Sequence, residues 1–422
     1  EMRQRVLRLI GRRDSDRHYF PFAGTFHSIC LRILRKDGGH IGLASNFTIF
    51  DATDSLAAVK QAMRQLGVDE KQFNPNLIAG LISSAKNELI GPSNYAEHAR
   101  GAAQEVAAKV YPLYQQTLSQ ASALDFDDII MKTVQLLKYK ELLEKWQNQF
   151  PYILIDEYQD TNHAQYQLVK MLAAKNRNIC VVGDDWQAIY SWRGANFQNI
   201  LNFERDYPEA KVIKLEQNYR SSKNILDAAH SVISRNVVRS EKKLWTDRDG
   251  GESVELLTAF DQDHEGDIIC QMIEKAQRQS YAVNKVLHGM GDAKLDLKDF
   301  AVLYRVGAQS RSLEEAFLRH NIPYKIVGGT RFYERKEIKD ALAYLRFIHN
   351  PEDVISFNRI INLPARGLGD KSLERFSQYR RMHNLRMLDA LLSASQIEGL
   401  TTRARQSLVE FYTLIKNLRD EI

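Results

Sequence analysis

The chain has 422 residues, 44% hydrophobic and 26% charged, the balance of an ordinary globular protein, which excludes wholesale disorder and fibrous repeats. At roughly 150 residues per domain this length suggests two to four domains. The net charge is only +5, and residues 1–39 hold nine basic against four acidic residues, so the excess lies there. A basic N-terminal surface suits phosphates, although solvated helix faces account for it equally well.

Taken in order, the chain opens on EMRQRVLRLIGRR, an amphipathic helix in which arginines interrupt every apolar stretch, so no secretory segment is read there. That helix has no capping residue before it, and SLVEFYTLIKNLRDEI closes the chain on a helix with none after it, as though both ends were cut from something longer. No window reaches the roughly 18 apolar residues that a membrane helix needs, so no membrane partner is expected. Cys30, Cys180 and Cys270 fit neither a zinc spacing nor a disulfide framework, and a reducing cytoplasm is the expected setting.

Short apolar runs alternate with helical patterns: Tyr152–Ile155, Ile179–Val182, Val212–Leu215 and Phe300–Tyr304. Such runs suit buried strands of a parallel sheet covered on both faces. Residues 50–122 and those from about 348 onward instead carry helical periods. An α/β core interrupted by helical insertions accounts for the alternation.

Three strings carry chemistry. In FPYILIDEYQDTN a strand runs into Asp156 and Glu157, two carboxylates at the edge where open α/β sheets bind ligands. In a nucleotide hydrolase the first would hold Mg²⁺ and the second would accept a proton from the attacking water. On residue type alone a surface loop is the alternative. In ICVVGDDWQAIYSWRGAN a second strand leads to Gln187, then Tyr190, Trp192 and Arg193. Two aromatics and an arginine in so polar a segment suit a platform on which unpaired bases stack, against the alternative of core packing. In LEQNYRSSKNI, Tyr219 and Arg220 precede a Ser-Ser pair able to cap a helix. There Tyr219 suits a base and Arg220 a phosphate.

In this order and spacing the three strings resemble the UvrD/Rep/PcrA family of superfamily 1 DNA helicases, and the resemblance extends over essentially the whole chain. GTFHSICLRILRKD is similar to a DNA-contacting segment of the family, ASALDFDDII to the re-entry into the first motor domain, and IPYKIVGGTRFYERKEIKDALAYLR to the second motor domain entering its own insertion. The fold implied is α/β, with two RecA-like parallel-sheet motor domains, each carrying a helical insertion. Residues 1–45 and 122–214 would form the first motor domain and 46–121 its insertion. Residues 215–347 would form the second and 348–422 its insertion.

The function implied is ATP-dependent 3′→5′ movement on single-stranded DNA with unwinding of duplex, in repair or replication. ATP and Mg²⁺ would be the cofactors, single strands and single-strand/duplex junctions the partners, with room for repair or replication proteins. By the same resemblance Asp156 and Glu157 would serve Mg²⁺ and the general base. Gln187 would sense the γ-phosphate, Tyr219 would stack on adenine and Arg220 would reach the γ-phosphate. Tyr190, Trp192, Arg193, Phe126, Thr25, Phe26 and His27 would line the DNA. A plain helix-start role stays open for His27, and a core role for Phe126, since Asp125, Asp127 and Asp128 would cap a helix in any fold. In LPARGLGDKSLERF, Gly367 and Gly369 form a turn into a helix start whose N–H groups suit a phosphate, similar to the family's duplex-gripping turns; an ordinary helix–helix turn is the alternative. A non-catalytic DNA-binding scaffold, or the motor of a recombination helicase-nuclease, are the other functions such residues serve.

The chain departs from that pattern in places. No G-x-x-x-x-G-K-[ST] string occurs in residues 1–422, and the family's later motifs would fall beyond them, so the 422 residues by themselves are expected to turn over ATP poorly. Trp186 stands where the family usually has an acidic residue and Gly307 where it often has asparagine. Tyr281–Leu297 is longer than the family's connection, and a surface loop or hairpin is expected there.

Overall fold

The computed structural model describes residues 2–12, 22–248, 250–287, 295–327 and 336–421. They fall into two units: Glu1–Ile213, Val238–Glu241 and Lys336–Ile422 in the first, Lys214–Val237 and Lys242–Arg335 in the second.

Unit 1 begins with α1 (Met2–Leu9) and α2 (Phe26–Asp37), followed by β1 (Thr48–Ile49), α3 (Ala52–Gln65), α4 (Pro75–Asn87), α5 (Tyr95–His98) and α6 (Ala102–Gln120). It continues through β2 (Ala123–Leu124), α7 (Phe126–Leu136), α8 (Lys140–Gln149), β3 (Ile153–Ile155), α9 (His163–Ala173), β4 (Ile179–Val181), α10 (Gln198–Leu201) and α11 (Phe203–Asp206). Unit 2 contributes α12 (Lys223–Ile233), α13 (Gln262–Leu287) and α14 (Ser310–Arg319). Unit 1 resumes with α15 (Lys336–His349), α16 (Val354–Ile360), α17 (Asp370–Met382), α18 (Met387–Leu392) and α19 (Thr402–Asp420).

Local chemistry sets several starts. The Asp51 carboxylate accepts from the N–H groups of Thr53 and Asp54, and Asp54 answers the Asp51 N–H, which closes a capping box at α3. Asp125 and Asp128 do the same at α7, and Asn162 and Gln165 at α9. The helical reading of residues 50–122 is matched by α3 to α6. These pack around Ala58, Val59, Ile78, Ile82 and Tyr111, all buried. Each of the valine and isoleucine side chains contributes about 1.5–3 kcal/mol relative to exposure. The helices from Lys336 close around Phe347, Phe357, Phe376 and Phe411. They also meet the start of α3, where Lys339 pairs with Asp51 at 2.8 Å and Arg346 with Asp54 at 2.7 Å. A third core holds α2, α7, α8 and α9 together around Cys30, Ile33, Ile130 and Trp146.

The sheets are small and parallel: β1 pairs with β2, and β3 with β4 in the register Ile153↔Ile179, Leu154↔Cys180, Ile155↔Val181. Two of the four apolar runs are thus strands. Val212–Leu215 and Phe300–Tyr304 form no ladder among the described residues, and Leu215 is 82% exposed. The expected burial on both faces is also not met at β3 and β4. Ile153, Ile155, Ile179 and Val181 pack with Tyr158, Val169 and Phe203, whereas Leu154, Cys180 and Val182 stay open. An apolar run makes a strand possible but does not supply one. Its ladder partner and its cover come from elsewhere in the chain. Tyr281–Leu287, expected in a loop or hairpin, continues α13; residues 288–294 lie outside the described residues. Among the described residues no helix is long and apolar enough to cross a membrane.

Candidate functional site

Strand β3 ends at Ile155 and leaves Asp156 and Glu157 exposed at its carboxyl edge. Glu157 takes the left-handed conformation, φ +53°, which is uncommon for a residue with a Cβ and turns the chain sharply into the 3₁₀ turn Tyr158–Asp160. Within that turn Gln159 is fully buried and makes a bond at each end of its amide. Its Nε2 donates to Glu157 Oε2 at 2.8 Å, and its Oε1 accepts from the Asp184 N–H at 2.9 Å. Asp184 continues the line, accepting from the Trp186 N–H at 2.9 Å and from Gln187 Nε2 at 2.8 Å. A hydrogen-bonded path therefore runs from Glu157 through Gln159 and Asp184 to Gln187.

Gly183 permits this approach. A Cβ there would lie 2.6 Å from Gln159 Oε1, 2.7 Å from Ile200 Cδ1 and 3.1 Å from the Tyr158 nitrogen. Sequence alone assigns no role to Gln159 or Gly183, although each stands inside one of the three strings. Asp160 sits beside them with one carboxylate oxygen buried and unbonded; burial first, and then the charge of Glu157, hold its pKa above the usual range.

Past Gln187 the chain turns outward. Tyr190 is 40% and Trp192 62% exposed, so the core alternative for these rings does not hold. Ser191–Arg193 form a 3₁₀ turn closed by Gly194 at φ +81°; the Arg193 side chain lies outside what the structure describes. The loop is tied back by the Asn196 N–H to Thr161 O at 2.9 Å and by Asn199 Nδ2 to Thr161 O at 3.0 Å.

Near the start of the chain, Thr25 caps α2 by accepting from the Ser28 N–H, so the helix-start role falls to Thr25 rather than His27. Phe26 is half-buried between two cores. The His27 ring lies 5.5 Å from that of Phe126 at 61°, and burial lowers its pKa against a bond to the Phe126 backbone. Phe126 is 54% exposed at the first position of α7, outside the core, while Asp125 and Asp128 perform the capping expected of them.

Unit 2 carries Tyr219 and Arg220, both exposed. The Tyr219 hydroxyl donates to Gln217 Oε1 at 2.6 Å. The turn at Arg220 is made by Asn218 Oδ1, which accepts from the Arg220 and Ser221 N–H groups at 3.0 and 2.8 Å. Ser222 occupies the N-cap of α12 but its hydroxyl makes no capping bond, so that expectation is corrected: the amide acceptor of Asn218 already orders the turn. In unit 1, Gly367 at φ +72° and Gly369, the N-cap of α17, flank Leu368, which is buried in the C-terminal core. Arg366 faces inward and donates to the carbonyls of Ile360, Ile361 and Leu363. The turn is thus held from inside, with both glycines exposed.

Residues 1–208 match the family model described as the UvrD/REP helicase N-terminal domain, and residues 213–410 the one described as the UvrD-like helicase C-terminal domain. Over its whole length the chain is 47% identical to a protein named ATP-dependent DNA helicase PcrA from Staphylococcus epidermidis, and 47% identical to one of the same name from Staphylococcus aureus. The chain belongs to the UvrD/Rep/PcrA helicase family.

It spans 55% of the length of each of those relatives. The two family domains indicate the P-loop helicase fold, seen here as many helices around small parallel sheets. The departures at Trp186 and Gly307 each have a local setting. The Trp186 indole donates to Ser240 O at 3.1 Å, while the neighbouring Asp185 accepts from the Ser240 N–H and hydroxyl at 2.6 and 2.5 Å. Gly307 opens a 3₁₀ turn, and a Cβ at that position would meet nothing within 4 Å, so packing does not demand a glycine there.

Proposed function

We propose that this chain supplies the greater part of a motor that couples ATP hydrolysis to 3′→5′ movement on single-stranded DNA and unwinding at single-strand/duplex junctions, in repair or replication in the cytoplasm. The observation that carries the reading is the path Glu157–Gln159–Asp184–Gln187, which ends three residues before the exposed Tyr190. The residue read as general base is thereby linked, through fixed amides and carboxylates, to the segment that leads directly into the exposed rings. A change at one end then has a physical route to the other.

In this reading residues 1–45 with 122–214, and residues 215–347, are the two RecA-like motor domains, with 46–121 and 348–422 as their insertions. Glu157 accepts a proton from the attacking water, Gln187 reads the γ-phosphate, and Tyr219 and Arg220 serve adenine and phosphate. Thr25, Phe26, His27, Phe126, Tyr190, Trp192 and Arg193 follow the single strand. Gly367 and Gly369 offer the first turn of α17 to a duplex phosphate. Asp156 and Glu157 suit Mg²⁺: both are exposed oxygen donors, and that ion is ordinarily held by one or two carboxylates, waters and the substrate's phosphates rather than by a protein cage. When bound, it offsets the phosphate charge. Among the described residues no cluster of three or more metal-ligating side chains competes for that role.

The test is Glu157→Gln in the full-length protein. Nucleotide binding is expected to persist while DNA-stimulated kcat falls by at least about 100-fold, because a base acts in the transition state. A smaller loss removes Glu157 from that role. Retained DNA binding with no turnover in the wild type points instead to a scaffold.

A further inference from the structure

Helix α4, in the segment between β1 and β2, ends on Lys86 and Asn87, and their side chains leave it in two directions. Lys86 is completely buried, an expensive place for an ammonium group. It is held by Asp125 Oδ2 at 2.6 Å and Asp128 Oδ1 at 2.9 Å, with the rings of Tyr114 and Tyr111 at 5.0 and 5.8 Å. The partners are themselves bonded: the Tyr114 hydroxyl donates to Asp125 Oδ2 at 2.6 Å, and Gln115 Nε2 to Asp128 Oδ2 at 3.0 Å. These same two carboxylates form the capping box that fixes where α7 begins. Phe126 stands between them, its ring against His27.

Asn87 points the other way. Its Oδ1 accepts from Asn162 Nδ2 at 2.7 Å, and Asn162 is the cap of α9, five residues after Glu157. A Cβ at Gly194 would lie 3.8 Å from the Asn87 Cβ, so the turn that closes the Trp192 segment packs on the same residue. Two consecutive side chains thus hold the start of α7, the start of α9 and the turn at Gly194.

Simple cohesion does not call for this arrangement. An apolar junction would hold α4, α6 and α7 together at least as well as a buried lysine between two carboxylates. What the charged cluster adds is direction: the geometry is satisfied at one rotation and one register of α7.

We propose that Lys86 and Asn87 are positioning residues through which α4 sets the stacking rings for single-stranded DNA, Lys86 acting through Phe126 and Asn87 through the Tyr190–Gly194 turn. The inference rests on the base-stacking role given above to those rings.

Binding of a fluorescein-labelled oligo-dT to the full-length protein, without nucleotide, tests it by anisotropy alongside melting temperature. Lys86→Met alone strands two buried carboxylates, so it is combined with Asp125→Asn and Asp128→Asn, which remove the charges together and keep an amide cap. The triple variant is expected to melt near the wild type and to bind about five- to tenfold more weakly; in a Phe126→Ala background the same triple exchange changes binding by less than about twofold. Asn87→Ala, which disturbs no buried charge, is expected to show the same pattern with Trp192→Ala as its background. It decides the matter if the triple variant fails to fold. Wild-type affinity in a stably folded triple or Asn87→Ala variant overturns the proposal. So does an equal loss with and without the partner ring, the signature of a merely structural role. If Phe126→Ala and Trp192→Ala themselves leave affinity unchanged, the stacking reading falls, and the positioning role with it.

Discussion

Replacing Gln159 by leucine is the sharpest probe of the path between Glu157 and Gln187. Leucine nearly fills the same volume, so the change removes bonds without opening a large cavity. Two hydrogen bonds disappear. Glu157 is exposed, so water takes over its lost donor and that end costs about 0.5–1.5 kcal/mol. The Asp184 N–H is only half-exposed and loses its acceptor, which costs about 1–3 kcal/mol. The expected destabilisation of unit 1 is therefore about 2–4 kcal/mol, or roughly 3–6 °C in melting temperature by scanning calorimetry. Gly183→Ala should act on the same spot from the other side. Its methyl, 2.6 Å from Gln159 Oε1 and 3.1 Å from the Tyr158 nitrogen, overpacks the site by about 1–3 kcal/mol. In the full-length protein Gln159→Leu is expected to lower kcat and to reduce the ratio of DNA-stimulated to unstimulated ATP turnover, because Glu157 and Gln187 lose their common anchor. A melting shift below about 1 °C, with that ratio unchanged, refutes the reasoning.

Trp192→Ala is expected to weaken single-strand binding by about 1–3 kcal/mol with little sequence preference and an unchanged salt slope, measured by anisotropy over a salt series, since a ring and no phosphate contact is removed. Asp127 tests the electrostatics around Lys86: burial first, and then the charge of Asp125, push its pKa up to about 6, against a bond from Ser83 and the Lys86 charge. The folded state therefore keeps a proton that the unfolded state has released, and stability falls as pH rises from near 4 to about 6, then levels. Asp127→Asn removes that loss, so it is expected to raise stability by up to about 2 kcal/mol at pH 7.5 and by almost nothing near pH 3.5, in melting curves across pH.

Much of the candidate site's local geometry was legible in the sequence because its parts are local. A strand that ends in Asp156-Glu157, and aromatics spaced through SWRG, declare themselves within a dozen residues. So does the Asp125–Asp128 capping box, whose two members are three residues apart. What stayed hidden depends on distant partners. Lys86 meets Asp125 across 39 residues, and in isolation SSAKNEL is a solvated helix end. Gln159 reads as one polar residue in a polar turn until Gly183 brings the Asp184 N–H beneath it. The strands failed for a related reason. Val212–Leu215 is apolar apart from Lys214 and reads as a strand much as Ile179–Val181 does, yet only the latter has a ladder partner among the described residues, and composition holds no record of that.

Trp186 shows how a departure from a family pattern can be absorbed. An acidic residue at that position is an acceptor in search of a donor. An indole is the reverse, a donor that needs a carbonyl, and Ser240 O supplies it. The same Ser240 turns its N–H and hydroxyl to Asp185, so its backbone polar groups and its side chain are all engaged by two neighbouring residues. The segment 184–187 is thereby held from both sides: by Asp184 on the Gln159 side and by Asp185 and Trp186 on the Ser240 side. Gln187, exposed at its end, needs no buried anchor of its own to be aimed, because the three residues before it leave its backbone little freedom. With Trp186 in place, Ser240 and Gln159 hold the segment that leads to Gln187 from its two sides.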